Sequence, residues 1–199
     1  MKLYYKIKRK IFSYFIKNKE SVEYSFKRSE IDRIASIYGT QIFVETGTFL
    51  GDTVDYFKDK FKQVISIELS EELALKAKNR FINQPNVRII SGDSGTLLKE
   101  LINTFNTPAI FWLDGHYSSE FMIGDEFIRT AKGETNTPVE NELTTILKSQ
   151  GNHIVMIDDA RLFTGLDDYP SIGMIKRLVR KHGNGYQVKV ENDIIYILK

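Results

Sequence analysis

Three acidic residues stand directly after apolar segments of this 199-residue sequence, and they are its first candidates for chemistry. Asp114 follows the apolar run 109–113, and Asp158 and Asp159 follow the run 153–157. If both runs are neighbouring parallel strands, their three carboxylates converge at one edge of a sheet and repel one another unless a cation compensates them. A hard divalent cation with oxygen ligands does so. The pattern therefore predicts a metal site, with Mg²⁺ favoured and Mn²⁺ as the alternative.

His116 lies two residues after Asp114 and is the next candidate. A histidine titrates near neutral pH and can take a proton from a hydroxyl group, so one role is that of a general base. It could equally ligate a metal, which would favour manganese or iron over magnesium, or hydrogen-bond within its loop. The acids also have a structural alternative, in which Asp159 caps a helix and Asp158 pairs with Arg161.

A second pattern, suited to a nucleotide-type cofactor, begins with the apolar run 41–44. This run ends in Glu45 and is followed by a turn that contains Gly47 and Gly51, and the next apolar run ends in Glu68. Strand, glycine turn, helix and an acid at the tip of the next strand are typical of such sites, because glycine lets the backbone approach a ligand closely. The third glycine of dinucleotide sites is missing, which weakens NAD as the cofactor.

Strand and helix signals alternate from residue 41 onwards and define the frame that must position these residues. The sequence predicts strands at 41–45, 64–68, 87–90, 109–113, 153–157, 186–190 and 194–198. It predicts helices at 52–61, 73–81, 96–105, 138–148 and 172–181. Five alternating units indicate a parallel sheet with helices on both faces, and the last two strands are too close in sequence to be parallel.

Three shorter segments complete this frame. Ser70 is a predicted N-cap of the second helix. The polar segment 117–137 is predicted to be a loop that folds over the substrate as a lid, with an ordinary surface loop or a subunit contact as the alternatives. Glu140 and Glu142 fall in the first turn of a helix, where negative charge is favourable, although either could reach the site.

The seven predicted strands, the closing hairpin and the turn at 45–51 resemble the class I S-adenosylmethionine (SAM)-dependent methyltransferases over roughly residues 38–199. Segments 112–118 and 157–161 are similar to metal-dependent sugar and natural-product O-methyltransferases, which carry Asp-Gly-Asp after strand four and Asp-Asp after strand five. The resemblance implies a Rossmann-like, doubly wound, mostly parallel sheet with an antiparallel last strand. It also implies SAM-dependent methyl transfer to a hydroxyl of a sugar, glycan or small natural product. His116 replaces the second aspartate of the Asp-Gly-Asp segment, a residue proposed as the base in related enzymes.

The resemblance also implies roles for individual residues. Glu45 and Gly47 would lie near the methionine part of SAM, Glu68 would bind the ribose, and Asp93 with Ser94 would meet the adenine amino group. In full, the implied cofactor site comprises Glu45, Thr46, Gly47, Thr48, Gly51, Thr53, Glu68, Asp93, Ser94 and Asp114. The implied metal ligands are Asp114, Asp158 and Asp159, and the implied catalytic residues are His116 and Asp114. The metal would lower the pKa of the acceptor hydroxyl, and His116 would remove its proton before attack on the sulfonium methyl.

Charge is unevenly distributed along the chain. Residues 1–28 have a balance of +7, so that the remainder has −5 and the net charge is +2. We predict a basic amphipathic helical extension over 1–37 and a methyltransferase domain over 38–199. The basic segment 1–28 can lie on an anionic membrane surface, pack on the domain or form a contact between two copies of the chain. A basic tail alone is weak support for nucleic-acid binding.

The sequence contains no cysteine, which excludes a disulfide framework and a thiolate nucleophile or metal site. Together with the lack of an apolar run of about 18 residues, this predicts a cytoplasmic protein, with a peripheral contact at the inner face of the membrane as a further prediction. Two other functions stay open at this point. They are a binding module that keeps the fold without chemistry and an NAD-binding enzyme. Intact Asp114, His116, Asp158 and Asp159 argue against the module.

Overall fold

The computed structural model describes residues 24–116, 120–123, 126–129, 133, 135–149 and 151–199. The chain divides after Gly39 into two units, and the second unit, Thr40–Lys199, contains the sheet. In the first unit, residues 24–38 are helical (α1), and the remainder of the predicted basic helix lies outside the described residues. Within the described ranges, no helix is long and apolar enough to cross a membrane.

Seven strands of the second unit form one sheet in the order β3-β2-β1-β4-β7-β9-β8. These strands are β1 (Ile42–Thr46), β2 (Gln63–Glu68), β3 (Val87–Ser91), β4 (Ala109–Leu113), β7 (Ile154–Ile157), β8 (Gln187–Glu191) and β9 (Ile194–Leu198). The first five are parallel to one another, and β9 is antiparallel to both β7 and β8. This arrangement confirms the predicted Rossmann-like sheet with its closing hairpin.

Five helices belong to the second unit. They are α2 (Asp52–Phe57), α3 (Glu71–Arg80), α4 (Ser94–Ile102), α5 (Val139–Lys148) and α6 (Ile172–His182), and a 3-10 turn covers Ala160–Leu162. Ser70 caps α3 by accepting a hydrogen bond from the backbone N–H of Leu73, as predicted. The first helix after the glycine turn is shorter than predicted, because it ends at Phe57.

The central strands β1, β4 and β7 are buried at every residue. Helices cover both faces of a parallel sheet, so its inner strands are continuous apolar runs rather than alternating ones. The continuous apolar runs make β1, β4 and β7 recognisable as strands in the sequence. They also place the polar residues that follow each run at one edge of the sheet, where the carboxyl ends of parallel strands meet.

The segment 117–137 differs from its prediction as a loop. It contains a separate antiparallel hairpin of β5 (Glu120–Ile123) and β6 (Glu126–Arg129), which brings the strands among the described residues to nine. Each strand has only four residues, which is too short for periodicity to identify it reliably. The dipeptide Gly124-Asp125 between them is a turn signal that the sequence does offer.

Candidate functional site

The residues predicted to do chemistry meet at the carboxyl edge of the central strands. Backbone hydrogen bonds extend the parallel ladder one step past the strand ends, from Gly47 N to Ile67 O (2.9 Å), from Asp114 N to Thr46 O (3.1 Å) and from Asp158 N to Leu113 O (3.0 Å). These bonds hold the tips of β2, β1, β4 and β7 side by side. The predicted cofactor turn and the predicted acidic edge therefore lie next to each other.

Gly47 is required by the protein's own packing. Its φ is +89°, and a Cβ there would lie 2.6 Å from the carbonyl oxygen of Asp114, closer than any real contact. The turn after β1 thus passes directly against the tip of β4. Gly51 is similar, because its φ is +83° and a Cβ would lie 2.8 Å from the ring of Phe81. The sequence attributed both glycines to the approach of a cofactor, whereas the close neighbours are parts of the chain itself.

Glu45, at the end of β1, is held by hydroxyl groups. Ser66 Oγ donates to its Oε2 at 2.7 Å, and Ser66 shares a hydrogen bond of 2.6 Å with Thr48. The pKa of Glu45 is raised to about 8, chiefly by burial. The hydrogen bonds from Ser66 and Thr53 offset part of this rise, and the charges of Asp114 and Glu68 add to it. The carboxyl group is only 2% exposed. It therefore takes up a proton near neutral pH unless a cation approaches it.

Glu68, at the end of β2, fixes the glycine turn. Its Oε2 accepts from the backbone N–H of Phe49 at 2.8 Å, and its Oε1 accepts from the backbone N–H of Ser70 at 2.9 Å. A carboxylate offers about four acceptor positions. Two remain for a ligand, so the contacts made within the chain are compatible with binding a ribose diol.

Asp93 and Ser94 lie at the start of α4. Asp93 is the N-cap of this helix, since its carboxylate accepts from Gly95 N at 3.2 Å and from Thr96 Oγ1 at 2.7 Å. The hydroxyl of Ser94 donates to Glu142 at 2.5 Å. Both predicted adenine contacts thus already have a partner within the chain, although Asp93 is exposed and keeps free acceptor positions.

Glu142, on α5, is a site residue that sequence reasoning noted only as a favourable helix-terminal charge. It is 1% exposed, and it lies on the inner face of α5 with the buried residues Val139, Leu143 and Ile146. The pKa of Glu142 is raised to about 7, chiefly by burial. The hydroxyls of Ser94 and Thr46 offset part of this rise, and the charge of Asp93 adds to it. The spacing of Glu142 from Val139 and Ile146 is the signal that could have identified it, because i, i+3 and i+7 share one helix face.

His116 is clamped between two carboxylates. Its Nδ1 lies 3.3 Å from Asp114 Oδ1, and its Nε2 lies 3.5 Å from Asp159 Oδ2. Burial lowers the pKa of His116, but the hydrogen bond to Asp114 and the charges of Asp114, Asp159 and Asp158 outweigh burial, so its pKa is raised overall. Asp114 thereby orients the imidazole ring and favours a proton on Nδ1.

Asp159 is the acid that pairs with Arg161, in contrast to the structural alternative, which assigned that role to Asp158. Arg161 Nη1 donates a hydrogen bond to Asp159 Oδ1 at 2.7 Å. Arg161 also pairs with Asp193 in the turn of the closing hairpin. Asp159 does not cap the 3-10 turn with its side chain, and its φ of +54° is a left-handed conformation that is uncommon outside glycine. Asp158 instead accepts a hydrogen bond from the backbone N–H of Asp159 at 2.6 Å.

The predicted metal ligands are close together, but their charges are met by other groups. Asp114 faces His116, Asp159 faces both His116 and Arg161, and Asp158 accepts from the backbone. Across the described ranges, no three His, Asp or Glu side chains are arranged to hold a metal ion. A divalent cation would need these carboxylates to exchange their present partners for it. The residues as folded therefore do not fit the predicted ion.

A small cavity of about 10 Å³ lies beneath this edge. Its volume suits about one water molecule. The polar residues that line it include Asp114, His116, Thr137, Glu142 and Asp158. The cavity therefore joins the predicted catalytic group to Glu142.

Comparison with known proteins agrees with this architecture. An O-methyltransferase from Bacillus cereus in complex with SAH is 15% identical, with a TM-score of 0.54 over 87% of this chain and 81% of its own. TomG from Streptomyces achromogenes, involved in tomaymycin synthesis and in complex with SAM, is 15% identical, with a TM-score of 0.53 over 87% and 80%. The SAH-bound methyltransferase PaMTH1 from Podospora anserina is 16% identical, with a TM-score of 0.52 over 86% and 77%.

No protein-family model matches the sequence, and no curated protein is similar to it. The sheet order, the closing hairpin and these structural neighbours define the fold as that of the class I SAM-dependent methyltransferases. The predicted fold resemblance is thereby confirmed. At such low identity the neighbours establish the fold alone, so the activity has to be argued from the site.

Proposed function

We propose that this protein is a SAM-dependent O-methyltransferase that acts on a hydroxyl of a sugar, a glycan or a small natural product. The observation that supports this most directly is the position of His116. Its Nδ1 lies 3.3 Å from Asp114 Oδ1 and its Nε2 lies 3.5 Å from Asp159 Oδ2, at the carboxyl edge of the sheet. A general base at that place adjoins the region where class I folds bind their ligands.

The chemical step follows from this geometry. Neutral His116, with its Nδ1 proton directed to Asp114, would take the proton of the acceptor hydroxyl at Nε2, in place of the contact of Nε2 with Asp159. The acceptor oxygen would then form a bond to the methyl carbon of SAM as the carbon–sulfur bond breaks, which would leave S-adenosylhomocysteine (SAH). Asp114 stabilises the imidazolium that results, as a carboxylate does in other acid–base dyads. Positioning of the two reactants supplies a large part of the rate.

The cofactor would lie along the tips of β1, β2 and β3. Glu45 and Gly47 would adjoin its methionine part, Glu68 would accept from the ribose hydroxyls and Asp93 would accept from the adenine amino group. The free acceptor positions of Glu68 and Asp93 support this assignment. Gly51, Thr48 and Thr53 support it indirectly, since they shape the turn and hold Glu45.

Divalent-metal assistance stays a prediction of the sequence. The acids Asp114 and Asp159 are already paired with His116 and Arg161, and we therefore route no step of the reaction through a metal.

The test is a calorimetric titration of SAM and of NAD into the protein, each with and without magnesium. We expect SAM to bind and NAD not to bind. Protein that binds SAM is then given SAM with a labelled methyl group and a panel of sugars, glycans and phenols. Absence of SAM binding would contradict the central proposal. Binding without transfer to any acceptor would favour the non-catalytic binding module.

Contact of residues 1–28 with an anionic membrane is a separate proposal that rests on their charge. Flotation with liposomes that contain anionic lipid should carry the whole chain upwards and leave a variant without residues 1–28 at the bottom. Equal behaviour of both proteins would make the segment a structural element or a contact between copies of the chain.

A further inference from the structure

Glu142 sits at a junction of three elements of the site. Its Oε1 accepts from Ser94 Oγ of α4 at 2.5 Å. The same Oε1 lies 3.6 Å from the point where a Cβ on Gly115 would be, and Thr46 Oγ1 lies 3.2 Å from that point. The carboxyl group therefore adjoins the tip of β1 and the segment after β4.

Among the described residues, no cation is paired with Glu142. Its partners among the described residues are hydroxyl groups, and the charged group that acts on it is another acid, Asp93. A buried carboxylate without a cation is costly and tends to take up a proton, so a ligand that brings a positive charge favours its ionised form. The titratable groups that line the adjacent cavity are Asp114, His116, Asp158 and Tyr169. Of these, His116 is engaged by Asp114 and Asp159.

Thr46 lies beside the same carboxyl group. It is fully buried, and its hydroxyl lowers the pKa of Glu142. The spot beside Glu142 and Thr46 therefore receives hydroxyl groups and no positive charge from the described residues.

The proposed donor has the chemistry that this spot requires. We propose that Glu142 is a cofactor-site residue whose carboxylate compensates the sulfonium charge of SAM, so that the site distinguishes SAM from SAH. This inference rests on the proposed function. Methyl transfer converts the sulfonium into a neutral thioether. Glu142 then loses its counter-charge, which weakens the hold on the product relative to the donor.

The experiment compares the affinities of SAM and SAH by calorimetry in the whole chain and in Glu142→Gln. Loss of the charge should weaken SAM binding by about tenfold, as expected for one attraction between opposite charges at a protein site. SAH binding should change by less than about twofold, because SAH carries no sulfonium. Glu140→Gln is the matched control, since Glu140 lies in the same first turn of α5 but is exposed. Neither affinity should change in that variant.

A second variant guards against a folding defect in Glu142→Gln. Ser94→Ala removes the hydroxyl that holds Glu142 and keeps the carboxylate, so it should lower the SAM-to-SAH affinity ratio by less than Glu142→Gln does. Equal losses for both ligands in Glu142→Gln, or no loss, would overturn the inference while leaving the proposed function intact. A wild-type chain that binds neither ligand would overturn both.

Discussion

The site has two halves: a cofactor half with Glu45 and Glu142, and a catalytic half with Asp114 and Asp159. The acids of the two halves are stabilised in opposite ways. On the cofactor side, Glu45 and Glu142 are almost completely buried and are held by serine and threonine hydroxyls. On the catalytic side, Asp114 and Asp159 are more exposed and are paired with His116 and Arg161. Glu45, Asp114 and Asp159 follow or end strands at the same sheet edge and Glu142 reaches it from α5, so the difference lies in their immediate neighbours.

The difference indicates which half of the site is suited to binding a positively charged ligand. The catalytic half contains one permanent cation, Arg161, so its net charge is partly cancelled before any ligand binds. The cofactor half supplies hydrogen bonds but no cation, so its carboxyl groups favour a proton until a positive ligand arrives. A positively charged donor suits the cofactor half, whereas Arg161 already offsets part of the negative charge of the catalytic half.

The largest effect should come from removing the base. His116→Gln keeps the size and polarity of the side chain but cannot accept a proton at neutral pH, so kcat/KM should fall by about 10³-fold. SAM affinity should change by less than about twofold, because His116 belongs to the catalytic half. His182→Gln, on a histidine outside the site, is the control. A loss of activity below about tenfold would make His116 a structural residue.

The next largest effect tests the cofactor half. Glu68→Gln keeps the shape of the side chain but loses the charge that strengthens its hydrogen bonds to the turn and to a ribose. We expect SAM affinity to fall roughly thirtyfold, equivalent to ~2 kcal/mol. Calorimetry with Glu72→Gln as the exposed control measures this change. Unaltered SAM affinity would remove Glu68 from the cofactor site.

The pH dependence of turnover should report on the carboxylates of Asp114 and Asp159 that contact His116. The base acts in its neutral form, and its pKa is raised above the ordinary 6.5 by Asp114, Asp159 and Asp158 despite burial. Below that raised pKa, kcat/KM should fall about tenfold for each unit of pH. Asp159→Asn removes one of the negative charges and should shift the profile to lower pH. A profile that does not move would separate Asp159 from the base.

A smaller effect is expected in the pH dependence of SAM binding. Without a ligand, burial raises the pKa of Glu45 to about 8 and that of Glu142 to about 7. A cationic ligand favours the ionised forms, so SAM should bind about threefold more tightly at pH 8 than at pH 6 and should release protons. Titrations in buffers of different ionisation enthalpy detect that release. Identical heats in all buffers would contradict it.

The smallest effect should follow removal of metal ions. Because Asp114 and Asp159 are paired within the chain, EDTA should change turnover by less than about twofold. A large loss that Mg²⁺ or Mn²⁺ restores, and that is absent in Asp158→Ala, would instead support the metal site predicted from the sequence. The catalytic half would then resemble the cofactor half in requiring an external cation.

The sheet could be predicted from the sequence because its inner strands are buried on both faces. The runs in β1, β4 and β7 are continuous, and the acids that follow them had to meet at one edge. The positions of Asp114 and His116 next to the glycine turn follow from that topology. The resemblance to class I methyltransferases could be drawn for the same reason.

The partners of these acids could not be predicted, because they depend on contacts between distant segments. Glu142 reaches Ser94 across 48 positions of sequence, and only the packing of α5 against α4 brings them together. Arg161 pairs with Asp159, which adopts a left-handed conformation, and with Asp193 of the closing hairpin. Residue types and spacing do not contain these orientations.

The link between Asp193 and the end of β7 has a consequence for how the protein folds. Asp193 accepts from the backbone N–H of Arg161 at 2.8 Å, and its carbonyl accepts from Ala160 N at 2.9 Å. These contacts join segments more than 30 residues apart, and such non-local contacts form late because they require long loops to close. During synthesis, β1 to β4 can pair before the closing hairpin exists. The edge that carries Asp114, Asp158 and Asp159 is then the last part of the sheet to be completed.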